Sequence, residues 1–207
     1  MQTLKKFEIH INGISPLIMH SDRLCNPLNP MTKKLKEISS IRGKKDEHYL
    51  AMAKIEWEGG LYYDEERGVY MPSKCIMGMI KAAARKFKLG KATKAITLEE
   101  PIGVPLIPYV GKTKEELWEI KEKDGEQKHV FCESVVVNRA RIMRTRPIFY
   151  KWSFTFSCYL NLELLSIKQL ESILNTGGFE FGLCELRPEK AQGNFGRFSV
   201  ESIKEKE

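Results

Sequence analysis

The stretch WSFTFSCYLN, residues 152–161, is the clearest structural signal in the chain. Its apolar side chains occupy the even positions, from Trp152 to Leu160, and hydroxyl or amide side chains alternate with them. An alternation with a period of two is typical of a strand that buries one face. We therefore predict a strand over Phe149–Leu162.

A helix, a glycine-rich loop and a last strand are predicted downstream. Ser166 is a typical N-cap residue, and apolar side chains recur at helical spacing as far as Leu174. Gly177-Gly178 ends this helix, and the following segment, 182–197, is rich in glycine and arginine. The final strand is expected at Phe195 to Ile203.

The first half of the chain predicts a strand, an insertion, a helix and a further strand. Residues 4–12 alternate like a half-buried strand, and Pro72-Ser73 opens the clearest helix, with Ser73 as its N-cap. The apolar run 101–110 contains three prolines and predicts a short edge strand. We also predict a hairpin over 60–70 and a strand at Leu50–Trp57.

Between these two halves lies a segment that begins apolar and becomes rich in arginine. We predict a strand or extended arm at Cys132–Met143, with Pro147 marking the turn into the strand described above. Together the elements predict an α+β protein with a ferredoxin-like (RRM-like) βαββαβ core. Residues 1–207 are expected to form a single domain, with loop insertions at about 20–70 and 110–130 and a β-hairpin arm.

The composition is that of an ordinary globular protein, since 42% of the 207 residues are hydrophobic and 29% are charged. No apolar run approaches the roughly 18 residues that cross a bilayer, and the chain enters a strand pattern directly. We therefore expect a cytoplasmic protein without a membrane partner. The five cysteines lack metal-site spacing, and their odd number argues against a disulfide framework. No metal and no cofactor are expected.

Positive charge is grouped along the chain, which carries a net charge of +7. The segment Lys74–Lys94 contains seven basic residues and no acid, and Arg139–Lys151 contains five basic residues and no acid. Such segregation indicates a polyanion-binding surface, although two solvated faces balanced by distant acids would give the same pattern. Phe149 and Tyr150 lie in the second of these segments, and a mixture of basic and aromatic side chains suits single-stranded nucleic acid.

Evidence for catalysis is weak in this sequence. It contains no HExxH, GxSxG, P-loop or Rossmann motif, and its carboxylates cluster only in charged turns. His10 or His20 remains open as a general base for a metal-free ribonuclease, and a role for Asp22 also remains open. A non-catalytic protein is favoured.

Three short motifs, PSKCIMG (72–78), GLCELRP (182–188) and GNFGRF (193–198), carry a family resemblance. The first begins a basic helix, and the other two delimit a glycine-rich loop before the last strand. With the order of elements, these motifs resemble the RAMP superfamily (repeat-associated mysterious proteins), which comprises RNA-binding subunits of CRISPR effector complexes with a modified RNA-recognition, ferredoxin-like domain. The arm at Arg139–Lys151 is similar to the arm of the subunits that coat a guide RNA as a filament.

The resemblance implies a non-catalytic subunit that coats a guide or other single-stranded RNA in a CRISPR-type ribonucleoprotein of antiviral defence. The implied partners are that RNA, further copies of the chain aligned head to tail, and other effector subunits. The expected RNA-binding residues are Ser73, Lys74, Lys81, Arg85, Arg139, Arg141, Arg144, Arg146, Arg187, Gly193, Gly196 and Arg197.

Three alternatives stay open. The first is a metal-free, guide-processing endoribonuclease of the same superfamily, with His10 or His20 as its base. The second is a single-stranded DNA-binding protein of phage recombination. The third is an inhibitor or mimic of a CRISPR complex.

Overall fold

A computed structural model describes residues 3–121, 125–137, 139–191 and 193–206, and it combines helices with several antiparallel sheets. The strands are β1 (Leu4–Gly13), β2 (Leu17–Ile18), β3 (Tyr63–Asp64), β4 (Gly68–Pro72), β5 (Ile96–Leu98), β6 (Gly103–Pro105), β7 (Val130–Val137), β8 (Ala140–Phe149), β9 (Ser153–Asn161) and β10 (Phe198–Lys206). The helices are α1 (Pro30–Ser40), α2 (Asp46–Gly60), α3 (Ser73–Lys86), α4 (Lys114–Glu119), α5 (Ile167–Thr176) and α6 (Pro188–Ala191). The mixed composition of the fold agrees with the α+β prediction.

The described residues divide into two compact units. The first unit contains residues 3–17, Tyr63–Gly111 and 150–206, and the second contains Ile18–Tyr62 and Lys112–Phe149. The two segments of the second unit overlap the expected insertions at about 20–70 and 110–130. None of the helices within the described ranges has the length and apolar character needed to cross a membrane.

The first unit is built on a four-stranded antiparallel sheet in the order β10-β1-β9-β5. Ile9 in β1 pairs with Phe156 in β9 on one side and with Ile203 in β10 on the other. The even positions of β9 are buried, as the alternation predicts. The two central strands of this sheet are β1 and β9. Their largest buried side chains are Phe7, Ile9, Ile11, Phe154, Phe156 and Leu160.

Two helices of the first unit contribute the rest of its core. α3 buries Ile76 and Ile80, and it contacts α5, which in turn contacts β10. α5 begins as predicted, because Ser166 and Gln169 form a reciprocal capping box in which each accepts a backbone amide hydrogen from the other. A π-helical turn, Gly177–Phe181, continues directly from α5 and is here called the π-turn.

The predicted hairpin over 60–70 and the predicted proline-rich edge strand are both confirmed. β3 and β4 pair on either side of a turn in which the Asp64 carboxylate accepts the amide hydrogens of Glu66 and Arg67. β6 is short and lies at the edge of the sheet β3-β4-β6, where a proline is tolerated.

The predicted strand at Leu50–Trp57 is wrong, because these residues lie inside α2. A short apolar run fits either a strand or a helix, and the helix-start signals lie just before it. Asp46 and Glu47 occupy the first turn, and the His48 ring accepts the amide hydrogen of Lys45 at 3.0 Å. Acidic side chains in a first turn favour the helix through its dipole.

The predicted single strand at Cys132–Met143 is also wrong, since this segment is divided between β7 and β8, which pair as an antiparallel hairpin. Arg139 has a φ of +67°, the left-handed conformation that such tight turns use. Pro147 therefore does not mark a turn but lies within β8, paired with Val130. In the same unit the Met19 amide donates to the Pro147 carbonyl at 3.0 Å.

We expect Phe156→Ala to lower the free energy of unfolding by about 3–5 kcal/mol, because Phe156 is 2% exposed in the sheet's buried face. Thr97→Ala, on the exposed side of β5, is the control and should change it by less than about 0.5 kcal/mol. Urea denaturation measures both. Equal midpoints for the two variants would contradict the assigned faces.

Candidate nucleic-acid interface

Basic side chains form a stripe along the exposed side of α3. With a rotation of 100° per residue around the helix axis, Lys74, Gly78, Lys81 and Arg85 fall within an arc of about 60°. All four residues are exposed. Among the described residues no carboxylate forms an ion pair with Lys81 or Arg85. A Cβ added at Gly78 would meet no atom within 4 Å, so the centre of the stripe is open. We call these four residues the α3 stripe.

Ser73 differs from the expectation, because it is buried and is the first helical residue rather than the N-cap. Its hydroxyl donates to the Glu100 carbonyl, and its amide donates to the Ile102 carbonyl at 3.1 Å. Pro72 takes the N-cap position without a side-chain hydrogen bond. The Ser73 side chain therefore holds α3 to the segment around residue 100.

The glycines of the 182–197 loop allow backbone to approach backbone. Gly196 has a φ of +70°, and its carbonyl accepts the Leu183 amide hydrogen at 2.9 Å. A Cβ at Gly196 would collide with the Leu183 carbonyl oxygen, and one at Gly193 would collide with the Leu186 carbonyl oxygen. Both glycines are thus required for closure of the loop itself.

The loop contacts the start of α3 through Cys184. Its sulfur lies 3.9 Å from the Met71 sulfur, and a hydrogen bond with Cys75, together with burial, raises the pKa of the Cys184 thiol well above its usual value. The thiol stays protonated at neutral pH and is a packing group rather than a nucleophile.

The two loop arginines have different surroundings. Arg187 donates twice to the Glu189 carboxylate, at 3.0 and 2.8 Å, and once to the Cys184 carbonyl. Arg197 instead lies over the Phe179 ring, with its guanidinium carbon 4.8 Å from the ring centroid. The charge of Arg187 is therefore compensated by a carboxylate, whereas that of Arg197 faces an aromatic ring.

The hairpin arginines do not share one surface. Arg141 lies opposite Val136 on one face of the hairpin, and Arg144 and Arg146 lie on the other face. The sequence analysis predicted one continuous strand over Cys132–Met143, so it could not indicate this division between two faces of a hairpin. Arg139 is exposed in the turn.

Arg144 is paired with a buried carboxylate. Its guanidinium donates to Glu56 of α2, which is 9% exposed, and the Thr145 amide donates to the second Glu56 oxygen at 2.9 Å. The pair fixes α2 against β8. Sequence reasoning missed Glu56 because it lies 88 residues from Arg144.

The candidate general bases lie in different units. His10, on the polar face of β1, is 2.9 Å from the Thr155 hydroxyl. His20 belongs to the second unit, where it lines a cavity of about 390 Å³ with Glu56 and Arg144. Asp22 begins a 3₁₀ turn in that unit. Within the described ranges, no cluster of three histidine, cysteine or acidic side chains could hold a metal ion.

The polar face of the four-stranded sheet carries paired charges. Lys6 and Glu99 are joined by an ion pair of 2.6 Å, and Glu8 and Lys206 by one of 3.1 Å. The hydrogen bond from Lys6, assisted by the hydroxyl of Ser157, lowers the pKa of Glu99 below its usual value. This face therefore offers less uncompensated positive charge than the α3 stripe.

Neither a scan against models of known protein families nor a search of curated proteins found a match to this chain.

Arg144→Ala should lower the free energy of unfolding by about 1–3 kcal/mol, because it leaves the buried Glu56 carboxylate without its charged partner. Arg141→Ala is the matched control and should be nearly neutral, since Arg141 is exposed and its guanidinium lies 3.4 Å from the exposed Ser134 hydroxyl. Urea denaturation separates them. A neutral Arg144→Ala would show that the pair does not stabilise the second unit.

Lys6→Gln should raise the pKa of Glu99 towards its usual value. Because the folded pKa of Glu99 is lowered, its stabilising contribution is present at neutral pH and is lost as the pH falls through that pKa. The Lys6→Gln protein should lose less stability on acidification. NMR titration of the Glu99 carboxyl carbon tests this, with Lys5→Gln, whose ion pair is with Glu205, as the control. Identical Glu99 midpoints with and without Lys6 would refute it.

Proposed function

We propose that this chain is a non-catalytic RNA-binding subunit that coats a guide or other single-stranded RNA in a CRISPR-type ribonucleoprotein. The observation that carries the proposal is the α3 stripe, in which exposed basic side chains surround an open glycine. Lysine and arginine on one helix face suit successive phosphates of a flexible strand. Arg197 adds a cation without a carboxylate partner in the described part of the same unit.

The topology of the first unit supports a ferredoxin-like (RRM-like) core. When β1, β5, β9 and β10 are numbered one to four along the chain, they lie side by side in the order 4-1-3-2 in an antiparallel sheet. α3 falls between the first and second of these strands, and α5 between the third and fourth. Two interleaved βαβ units of this kind are the pattern of that fold, and the pattern favours the RAMP resemblance.

The distribution of charge favours the helix and loop side of the unit for RNA. On the polar sheet face, Lys6 and Lys206 are paired with carboxylates, which would offset attraction to a phosphate. Binding there would require breaking these ion pairs, whereas Lys81 and Arg85 have no such pair among the described residues. We therefore assign the phosphate contacts to the α3 stripe and to Arg197.

The β7–β8 hairpin is the proposed contact with RNA or with a neighbouring copy. Near its turn, Val136 and Met143 are 65% and 59% exposed, beside the exposed Arg139 and Arg141. Apolar and basic side chains together suit a surface that meets both protein and nucleic acid. If the hairpin of each copy contacted the next copy head to tail, the copies would be aligned along one RNA strand.

Lys81→Ala and Arg85→Ala should each weaken binding to single-stranded RNA and reduce the slope of log affinity against log salt by about 0.7. The matched control is Lys206→Ala, which removes the same charge from an ion pair on the sheet. Fluorescence anisotropy over a salt series measures both quantities, and a DNA strand of identical sequence should compete less well.

Three results would contradict the proposal. The first is failure of the unchanged protein to bind RNA, and the second is an affinity for RNA that does not depend on salt concentration. The third is a loss of affinity in Lys206→Ala as large as the loss in Lys81→Ala.

A further inference from the structure

A large aromatic side chain is exposed on the π-turn. Phe179 keeps 63% of its surface exposed, whereas Gly177 and Gly178 are buried and continue the apolar stripe that begins at Leu170. Phe179 lies beside this stripe and contributes little to the core. Most of the phenyl ring is therefore accessible to a ligand at the surface of the unit.

The backbone that carries Phe179 is closed by a π-type hydrogen bond. The Gly182 amide donates to the carbonyl of Gly177, five residues earlier, at 2.8 Å. Single turns of this kind place one extra residue in a helix and are frequent at functional sites. The turn therefore sets the direction in which Phe179 leaves the helix.

Neighbouring elements hold the turn in place. A Cβ at Gly178 would collide with the carbonyl oxygen of Phe198, so the turn packs directly on the start of β10. Glu180 forms an ion pair with Lys86 at the end of α3. Phe179 is thus presented on a fixed support next to the helix that carries the α3 stripe.

The guanidinium of Arg197 lies over the Phe179 ring. The Arg197 amide donates to the Ser15 hydroxyl at 2.9 Å, and a terminal nitrogen lies 3.5 Å from the Asn194 side-chain oxygen. Its Nε atom is buried and has no hydrogen-bond partner among the described residues. A ring, unlike a carboxylate, leaves the positive charge of Arg197 available for an anion.

We propose that Phe179 is a base-stacking residue, on which one unstacked base of a bound single-stranded RNA lies while Arg197 holds the adjacent phosphate. The inference rests on the proposed function and adds a base contact to its phosphate contacts. An exposed ring beside an uncompensated guanidinium is the combination that single-strand binders use, because rings accept any base and cations accept the backbone. The fixed turn favours binding, since the ring is already ordered.

The test compares ordinary and abasic RNA of the same length, which differ in bases but not in phosphate charge. Phe179→Ala should weaken binding of ordinary RNA about tenfold and leave binding of abasic RNA unchanged. The slope of affinity against salt should stay the same, because no charge is removed. Phe179→Trp should retain affinity for ordinary RNA, whereas Phe179→Leu, which is apolar but cannot stack, should lose it.

Leu164→Ala is the control, since Leu164 is a large side chain of the same unit with 59% exposure. It should bind both RNAs like the unchanged protein, and thermal unfolding should be alike for all variants. Unchanged binding of ordinary RNA by Phe179→Ala, or an equal loss on abasic RNA, would overturn the stacking role while leaving the proposed function intact. If the unchanged protein bound neither RNA, the proposed function and this inference would both fail.

Discussion

The pairing of β1 on both of its edges is the constraint on which the first unit depends. Ile9 meets Phe156 on one side and Ile203 on the other, so β1, from the first residues of the chain, lies between two strands from its last third. A slip of one residue would turn every apolar side chain of the strand to the polar face. The register therefore decides at once which side chains form the core and where α3 and the π-turn are anchored.

Acidic partners, rather than the number of basic residues, decide which cations are available to a polyanion. Arg144 and Arg187 belong to acid-free or glycine-rich segments of the sequence, yet each is compensated by a carboxylate, from Glu56 and Glu189. Arg197 lies against a ring instead. Charge grouping along the chain thus overstates the free positive surface, because folding brings distant acids to some of the basic side chains.

Local sequence patterns predicted the elements whose signals span only a few neighbouring residues. The strand at 152–161, the capping by Ser166 and the basic face of α3 follow from alternation, a cap and helical spacing, and the structure has all three. The helix over Leu50–Trp57 was missed because its start signals precede the apolar run. The β7–β8 hairpin was missed because the sequence between the two strands contains no glycine. The Glu56–Arg144 pair needs tertiary contacts that no local pattern encodes.

The closure of the 182–197 loop through Gly193 and Gly196 has a consequence for how the loop can change. Its shape is set mainly by internal carbonyl and amide contacts and by the hydrogen bond from Arg187 to the Cys184 carbonyl, so exposed side chains such as Lys190 contribute little to it. A scaffold of this kind tolerates exchange of those side chains while its outline persists. The chemistry of this surface is therefore open to change by substitution alone, without lengthening or reshaping the chain.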